Sequence, residues 1–415
     1  MIRCWPVLIL FATFLGCAYP NHPHDLRLRS VPDGPEGLSQ AFFQSTGVAL
    51  EPGHRVERVN NGRIFDAIEE EVRAARSSIH ILSYIWRPGE PSDRLIRALS
   101  ERQPGVECRV LVDAMGSINF EAVAPRLAAV GCETRVFRSV QGAIASLQLT
   151  RMLSRMHRKL VVRDGEVGIT GGWGIWKSWE GDARNADEWR DSNVRVWGPA
   201  VRQLQQAFAE NWQEAGGSFL PEACFPALSP AGEARAGFVA STGELYLSDG
   251  KRMTMVAIAA ARHRLWIANA YFIPPQDISD LLILKAKEGV DVRVLVPGRH
   301  HDVKVVHEGQ RGSYARLLAA GVRIWEYELS MMHSKTIVVD DRLSVIGSTN
   351  MDPLSLDVVE EGSLVVEDLA LAGELAQDFE HDLGHAREIH ASGWLRRGLL
   401  QRLAEQFPRL IGRYL

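Results

Sequence analysis

Gly105-Val106-Glu107-Cys108-Arg109-Val110-Leu111-Val112 returns as Gly289-Val290-Asp291-Val292-Arg293-Val294-Leu295-Val296. Each run is a Gly-led entry into a Val-rich apolar stretch, the mark of a parallel strand covered on both faces by helices. The neighbouring segments recur in the same order. Ala75-Arg76-Ser77-Ser78-Ile79-His80-Ile81 answers Ala261-Arg262-His263-Arg264-Leu265-Trp266-Ile267, and Leu127-Ala128-Ala129-Val130-Gly131 answers Leu317-Leu318-Ala319-Ala320-Gly321. Each half reads helix, strand, helix, strand, helix, strand, so the expected class is α/β, built as two similar α/β/α sandwich halves. The Gly- and Pro-rich stretch 215–240 breaks the pattern, which sets the halves at 50–215 and 235–392.

Outside the halves the composition changes. Arg3 precedes an apolar run of 13 residues, Cys4 to Gly16, too short to cross a hydrocarbon core of roughly 30 Å and matching a signal peptide over 1–17. Phe14-Leu15-Gly16-Cys17 is similar to a bacterial lipoprotein box, with Cys17 as the acylated residue and an uncleaved anchor as the alternative. Residues 18–49, with Pro20, Pro23, Pro32 and Pro35, read as a linker. From 393 to 415 five Arg stand against one Glu among Leu, Phe and Tyr, a basic amphipathic helix suited to an anionic lipid surface or to packing on the body. Leu147–Arg155 is a second basic and apolar stretch.

The 415 residues are 46% hydrophobic and 24% charged, which excludes disorder and fibrous repeats. With 47 Lys plus Arg against 51 Asp plus Glu the net charge is −4, so nucleic acid is not an expected partner and anion binding must be local. The five Cys form no CxxC pair and no zinc-like spacing with His, and no metal or cofactor is expected. Cys108 and Cys132 open strands that can be neighbours. A disulfide there suits an exported protein, but buried free thiols are the expected state.

The chemistry lies in a second duplication. His157-Arg158-Lys159 is followed by Asp164 and Gly171-Gly172, and His333-Ser334-Lys335 by Asp340, Gly347-Ser348 and Asn350, at the same spacings. Apolar residues after each Lys and a turn at each Asp predict a hairpin. Side chains two apart on a strand share a face, so each His stands beside its Lys. A nucleophile or proton carrier next to a fixed cation is what displacement at a phosphodiester requires. Gly172, Ser348 and Asn350 are candidates to meet the phosphate. Asp164 and Asp340 complete the motif, and as turn or ion-pair residues rather than groups touching substrate.

This duplicated His-x-Lys-x4-Asp motif resembles that of the phospholipase D superfamily, over about residues 50 to 415. Ala270–Pro274, Gly289–Pro297, Leu317–Tyr327 and Gly347–Leu356 are similar to the bacterial cardiolipin synthases. The resemblance implies both motifs facing one shared cleft, with one His forming a phosphohistidine and the other serving as acid and then base. By the same resemblance His157 is the nucleophile and His333 the acid/base, each oriented by a carboxylate. Asp191 and Glu361, 34 and 28 residues after their His, match the family's acids.

Three positions depart from the family pattern: Gly174 and Val359 stand where Asn is usual, and Leu354 where Arg is common. The implied activity is a phosphatidyltransferase acting on phospholipids, chiefly phosphatidylglycerol, at the membrane surface of the cell envelope. The alternatives are a phospholipase D using another acceptor, a nuclease, and an envelope protein with a decayed site.

Overall fold

The computed structural model describes residues 28–139, 154–243 and 247–394. The expected signal peptide with Cys17, most of Leu147–Arg155, and all but Gly393 and Trp394 of the expected C-terminal helix lie outside the described residues.

The first half runs α1 (Gly37–Thr46), β1 (Glu51–Asn60), α2 (Arg63–Ala74), β2 (Ser78–Ser83), α3 (Glu90–Ser100), β3 (Glu107–Asp113), α4 (Ala124–Ala129) and β4 (Cys132–Phe137). The hairpin β5 (Leu160–Arg163) and β6 (Val167–Gly171), then β7 (Ser192–Trp197) and α5 (Val201–Glu214), complete it. The second half runs β8 (Ala234–Ser241), α6 (Asp249–Ala260), β9 (Arg264–Asn269), α7 (Gln276–Lys287), β10 (Asp291–Pro297), α8 (Lys304–Ala319) and β11 (Arg323–Tyr327). It closes with β12 (Lys335–Val339), β13 (Leu343–Gly347), α9 (Pro353–Asp357), β14 (Glu361–Glu367), α10 (Leu369–Leu383), β15 (Ala386–Ile389) and α11 (Ala391–Trp394).

Among the described residues fifteen strands join one sheet in the order β15-β11-β10-β9-β12-β13-β14-β8-β1-β7-β6-β5-β2-β3-β4. Read outward from the β8–β1 junction, the two arms carry the same sequence of strand roles, which is the internal repeat expressed as topology. The repeated Val-rich runs form β3 and β10, each parallel to both neighbours, while the hairpins pair antiparallel beside β2 and β9. Each arm is therefore mixed rather than wholly parallel.

Three apolar clusters hold the layers together. One lies under α6, α7 and α8 in the second half, and one under α2, α3 and α4 in the first. The third draws on both halves, joining Leu204, Phe208 and Trp212 of α5 with Leu371, Leu375 and Phe379 of α10. Burial of such side chains, at about 1.5–3 kcal/mol each, ties the halves into one body.

Two expectations change. Within 18–49, α1 is a packed helix: Leu38, Ala41 and Phe42 recur at helical spacing and are buried in the second-half core beside Val256. Cys108 and Cys132 are bonded rather than free. The parallel register of β3 and β4 sets them directly opposite, with Cα atoms 4.5 Å apart, inside the reach of a disulfide. Cys224 is buried and free.

Candidate active site

Each motif opens a hairpin. His157 and Lys159 precede β5 and His333 precedes Lys335 at the start of β12, so both pairs sit at one end of their strands. Asp164 and Asp340 lie at the other end, about 16 Å away along an extended strand. They occupy the hairpin turns with φ of +55° and +50°. Asp164 accepts from the backbone N–H of Arg76, Ser77 and Ser78, and Asp340 from Arg262, His263 and Arg264. Both carboxylates thus fasten the hairpin to the segment entering β2 or β9.

The orienting acids are exchanged between halves. His157 Nδ1 lies 2.9 Å from Glu361 Oε1, and His333 Nδ1 lies 2.9 Å from Asp191 Oδ2. The sequence had suggested that each His takes the acid following it in its own half. The reason for the exchange is a pair of cross-half backbone bridges. Met156 pairs in parallel with Glu360, and His157 N–H donates to Glu360 O at 2.8 Å. Arg190 pairs in parallel with Met332, and His333 N–H donates to Arg190 O at 2.7 Å. Each acid follows the bridging residue, so it faces the opposite His.

With Nδ1–H donated to a carboxylate, each ring keeps its lone pair on Nε2. Lys335 Nζ stands 3.0 Å from His333 Nε2 and Lys159 Nζ donates to His157 O. Burial pushes His157 below the usual imidazole range, against the pull of Glu361, and Lys159 adds to the fall. Burial, then the Lys335 charge, lowers His333 to about 4. Burial also brings Lys335 down to about 8 and Lys159 well below its ordinary value. On its own burial would raise Asp191 and Glu361, but the charge of and hydrogen bond from their His partners, with the nearby lysines, hold both below the carboxylate range.

The small residues turn out to make room for the acids. A Cβ at Gly172 would meet Asp191 Oδ1 at 2.3 Å, and one at Gly174 would meet Trp179 Cζ3 at 2.9 Å. Trp179 Nε1 donates to Asp191 Oδ2 at 2.7 Å, so the departure at Gly174 is the space taken by an indole that holds the acid. Ser348 directs its single hydroxyl proton to Glu361 and accepts from Gly362 N–H at 3.0 Å. Ser355 also donates to Glu361. Ser348 is thereby occupied with the acid rather than open to a phosphate, and Gly172 serves as clearance. Asn350 is buried, and its Oδ1 has no hydrogen-bond partner among the described residues.

Several contacts were not singled out from the sequence. Tyr84 meets His157 edge-on at 4.8 Å, with Lys159 Nζ 5.2 Å from the Tyr84 ring. Trp189 stacks on His333 at 5.0 Å and Trp179 meets it edge-on at 5.1 Å. Arg158, fully buried, donates to Glu361 O and Ser241 O and to Asn211 Oδ1. Arg155, at the end of the stretch read as basic and apolar, is buried in a bidentate pair with Asp113. Only Trp189-Arg190-Asp191, a charged pair beside an aromatic, offered a local signal. No group of three or more metal-ligating side chains occurs among the described residues.

Comparison with known proteins identifies the family. The family described as "Cardiolipin synthase, PLD-like domain" matches residues 68–212 and 255–383. The chain is 34% identical over 357 residues to the cardiolipin synthase of Geobacillus kaustophilus, covering 85% of this chain and 70% of that protein. It is 31% identical over 364 residues to cardiolipin synthase 1 of Bacillus anthracis, with the same coverage. In fold it is similar to phosphatidylserine synthase of Haemophilus influenzae, with a TM-score of 0.65, 14% identity, and coverage of 91% of this chain and 100% of that one. With two thirds of its length matched and both halves carrying the motif, the chain belongs to the cardiolipin synthase family of phospholipase D-like proteins.

Proposed function

We propose that the protein is a phosphatidyltransferase that moves a phosphatidyl group from one phosphatidylglycerol to a hydroxyl of another, giving cardiolipin and glycerol. The observation that carries this reading is the pair of Lys-flanked histidines, each held by the acid of the opposite half, in a chain of this family.

His157 Nε2 attacks phosphorus and the bond to the glycerol oxygen breaks, leaving a phosphohistidine. His157 keeps 15% of its side chain exposed against 7% for His333, which suits it to the attacking role. His333 delivers a proton to the departing oxygen. Its low affinity for that proton in the empty site is raised by the arriving phosphodiester anion. In the second step His333 takes the proton of the acceptor hydroxyl, whose oxygen attacks the phosphohistidine and restores His157. Lys159, Lys335 and the Asn350 amide meet the charge on the non-bridging oxygens. Trp179 and Trp189 wall the His333 ring, which favours an alcohol over bulk water at that step.

The same reading sets the cleft on a membrane of the cell envelope. Met115 and Ile118, after β3, are 53% and 54% exposed, and Val303 and Val305, after β10, are 37% and 42% exposed. These apolar residues follow corresponding strands of the two arms, so they flank the cleft from both sides. The Cys108–Cys132 bond supports an exported protein, since such bonds persist outside the cytosol. No helix among the described residues is long and apolar enough to cross a bilayer.

The test is a product assay with labelled phosphatidylglycerol in mixed micelles containing EDTA, run beside His157→Ala and His333→Ala. Cardiolipin and free glycerol, lost in both variants, support the reading. Phosphatidic acid as sole product makes the protein a hydrolase, and turnover that requires a divalent cation removes the metal-free mechanism.

A further inference from the structure

The two arms are built alike, so a polar group present beside one histidine and absent beside the other distinguishes what the two sides handle. Tyr271 and Asp302 are such a pair. Tyr271 follows β9 and Asp302 lies after β10, and Tyr271 Oη donates to Asp302 Oδ2 at 2.8 Å. His301 stacks on the Tyr271 ring at 5.3 Å, with its Nδ1 3.3 Å from Asp302 Oδ1. Counted through the sequence repeat, the equivalent positions in the first half are Ile85 and Ile118.

This cluster adjoins the His333 side of the cleft. Asn269, two residues before Tyr271, pairs with Lys335 across β9 and β12, which sets Tyr271 at the His333 end of the motif, and Ile273 N–H donates to Met351 O at 2.9 Å. The Asp302 charge acts on both His333 and Lys335. Asp302 leaves 26% of its side chain open, and His301 is buried with Nε2 unpartnered among the described residues.

We propose that Asp302, held by Tyr271 and His301, accepts a hydrogen bond from the free hydroxyl of the alcohol processed at His333, and so selects a polyol over a simple alcohol. The inference rests on the phosphatidyl-transfer reading and names its acceptor class. An ionised carboxylate is an acceptor only, so it pairs with O–H donors and repels the phosphate itself. An ammonium headgroup would also suit a carboxylate, but Lys335 already supplies a like charge there. Glycerol offers a second hydroxyl next to the one that reacts; ethanol offers none. Sites that hydrogen-bond a hydroxyl reject analogues lacking it by up to about 10⁴-fold, and a quarter-exposed carboxylate gives less.

The experiment is a competition. Purified full-length protein in phosphatidylcholine–phosphatidylglycerol mixed micelles is given labelled glycerol and labelled ethanol together, and the ratio of labelled phosphatidylglycerol to labelled phosphatidylethanol is measured. Any phosphatidyl transfer by the wild type sustains the underlying reading; a wild type inert toward every lipid overturns both. Given transfer, Asp302→Asn lowers the glycerol-to-ethanol ratio by about ten-fold, and Tyr271→Phe lowers it less, in the same direction. Because the ratio is internal, a partly unfolded preparation does not disturb it, and Tyr271→Phe carries the test if Asp302→Asn does not fold. A ratio within two-fold of wild type in the folded variants, whatever the total rate, overturns the proposal. So does a change confined to ethanolamine as competing acceptor.

Discussion

Glu361 of the second half grips the ring of His157 in the first, with its two oxygens 2.9 and 3.0 Å from Nδ1, across 204 residues of chain. The acid fixes the tautomer that leaves Nε2 free to attack. Glu361→Gln keeps the shape but can present its amide N–H to Nδ1, turning the lone pair to the wrong nitrogen. A loss of about 10³-fold or more in kcat is expected, with KM little changed. Steady-state kinetics with phosphatidylglycerol check it, and a loss below ten-fold would remove Glu361 from the orienting role.

Gly174 stands where the family usually has Asn, and restoring Asn there should harm the protein. The new Cβ would press on Trp179, which donates to Asp191. Overpacking of this kind costs about 1–3 kcal/mol. A lower urea midpoint and a slower enzyme are the expected results for Gly174→Asn. A faster enzyme of unchanged stability would show that the indole is readily displaced.

The lysine pair sets an alkaline limit. Lys335, lowered by burial from 10.5 to about 8, is an ammonium below that pH and neutral above it. kcat/KM, which reports the free enzyme, should therefore fall roughly ten-fold per unit above about pH 8. Stability moves the other way. Between pH 8 and 10.5 the unfolded chain holds a proton that the folded chain has released, so this residue's contribution to stability rises with pH. His333 has the same sign in acid: as pH falls from 6.5 to about 4 the unfolded chain gains a proton that the folded chain refuses, and stability falls. A pH–rate profile with urea midpoints at acid, neutral and alkaline pH tests both signs.

The Cys108–Cys132 bond closes a loop with a sequence separation of 24. A loop of that size stabilises by about 3.5 kcal/mol in the chain-entropy account. Dithiothreitol, or Cys108→Ser with Cys132→Ser, should lower the urea midpoint accordingly. An unchanged midpoint would mean that the thiols are free in the isolated protein.

If the cleft rests on a bilayer through its apolar rims, Met115→Ser with Val303→Ser should weaken binding to anionic vesicles several-fold. Removing two such side chains from a lipid contact forfeits about 1–3 kcal/mol in all. Vesicle sedimentation reads the change, and equal binding by the double variant would place the membrane contact elsewhere.

Much of this was legible because the signals were local and repeated. The runs at Gly105–Val112 and Gly289–Val296 became β3 and β10, and each His-x-Lys pair opened a hairpin, since strand periodicity is written in neighbouring residues. The exchange of Asp191 and Glu361 was not legible: it depends on backbone bridges between segments far apart in the chain, Met156 with Glu360 and Arg190 with Met332. The clearance that Gly172 gives Asp191 was hidden for the same reason. A small residue beside the motif suggests a phosphate cradle, and only the fold shows the Asp191 carboxylate standing where a side chain at Gly172 would be. The disulfide turned on the register of β3 against β4, and α1 was hidden by the prolines before it.

The exchanged acids also act as an assembly lock. A half-synthesised chain, or one cut in the stretch 215–233, has a histidine whose steadying carboxylate sits on the missing piece. Neither fragment can ready its imidazole alone. A phosphatidyltransferase built in this way is inert until both halves are in place.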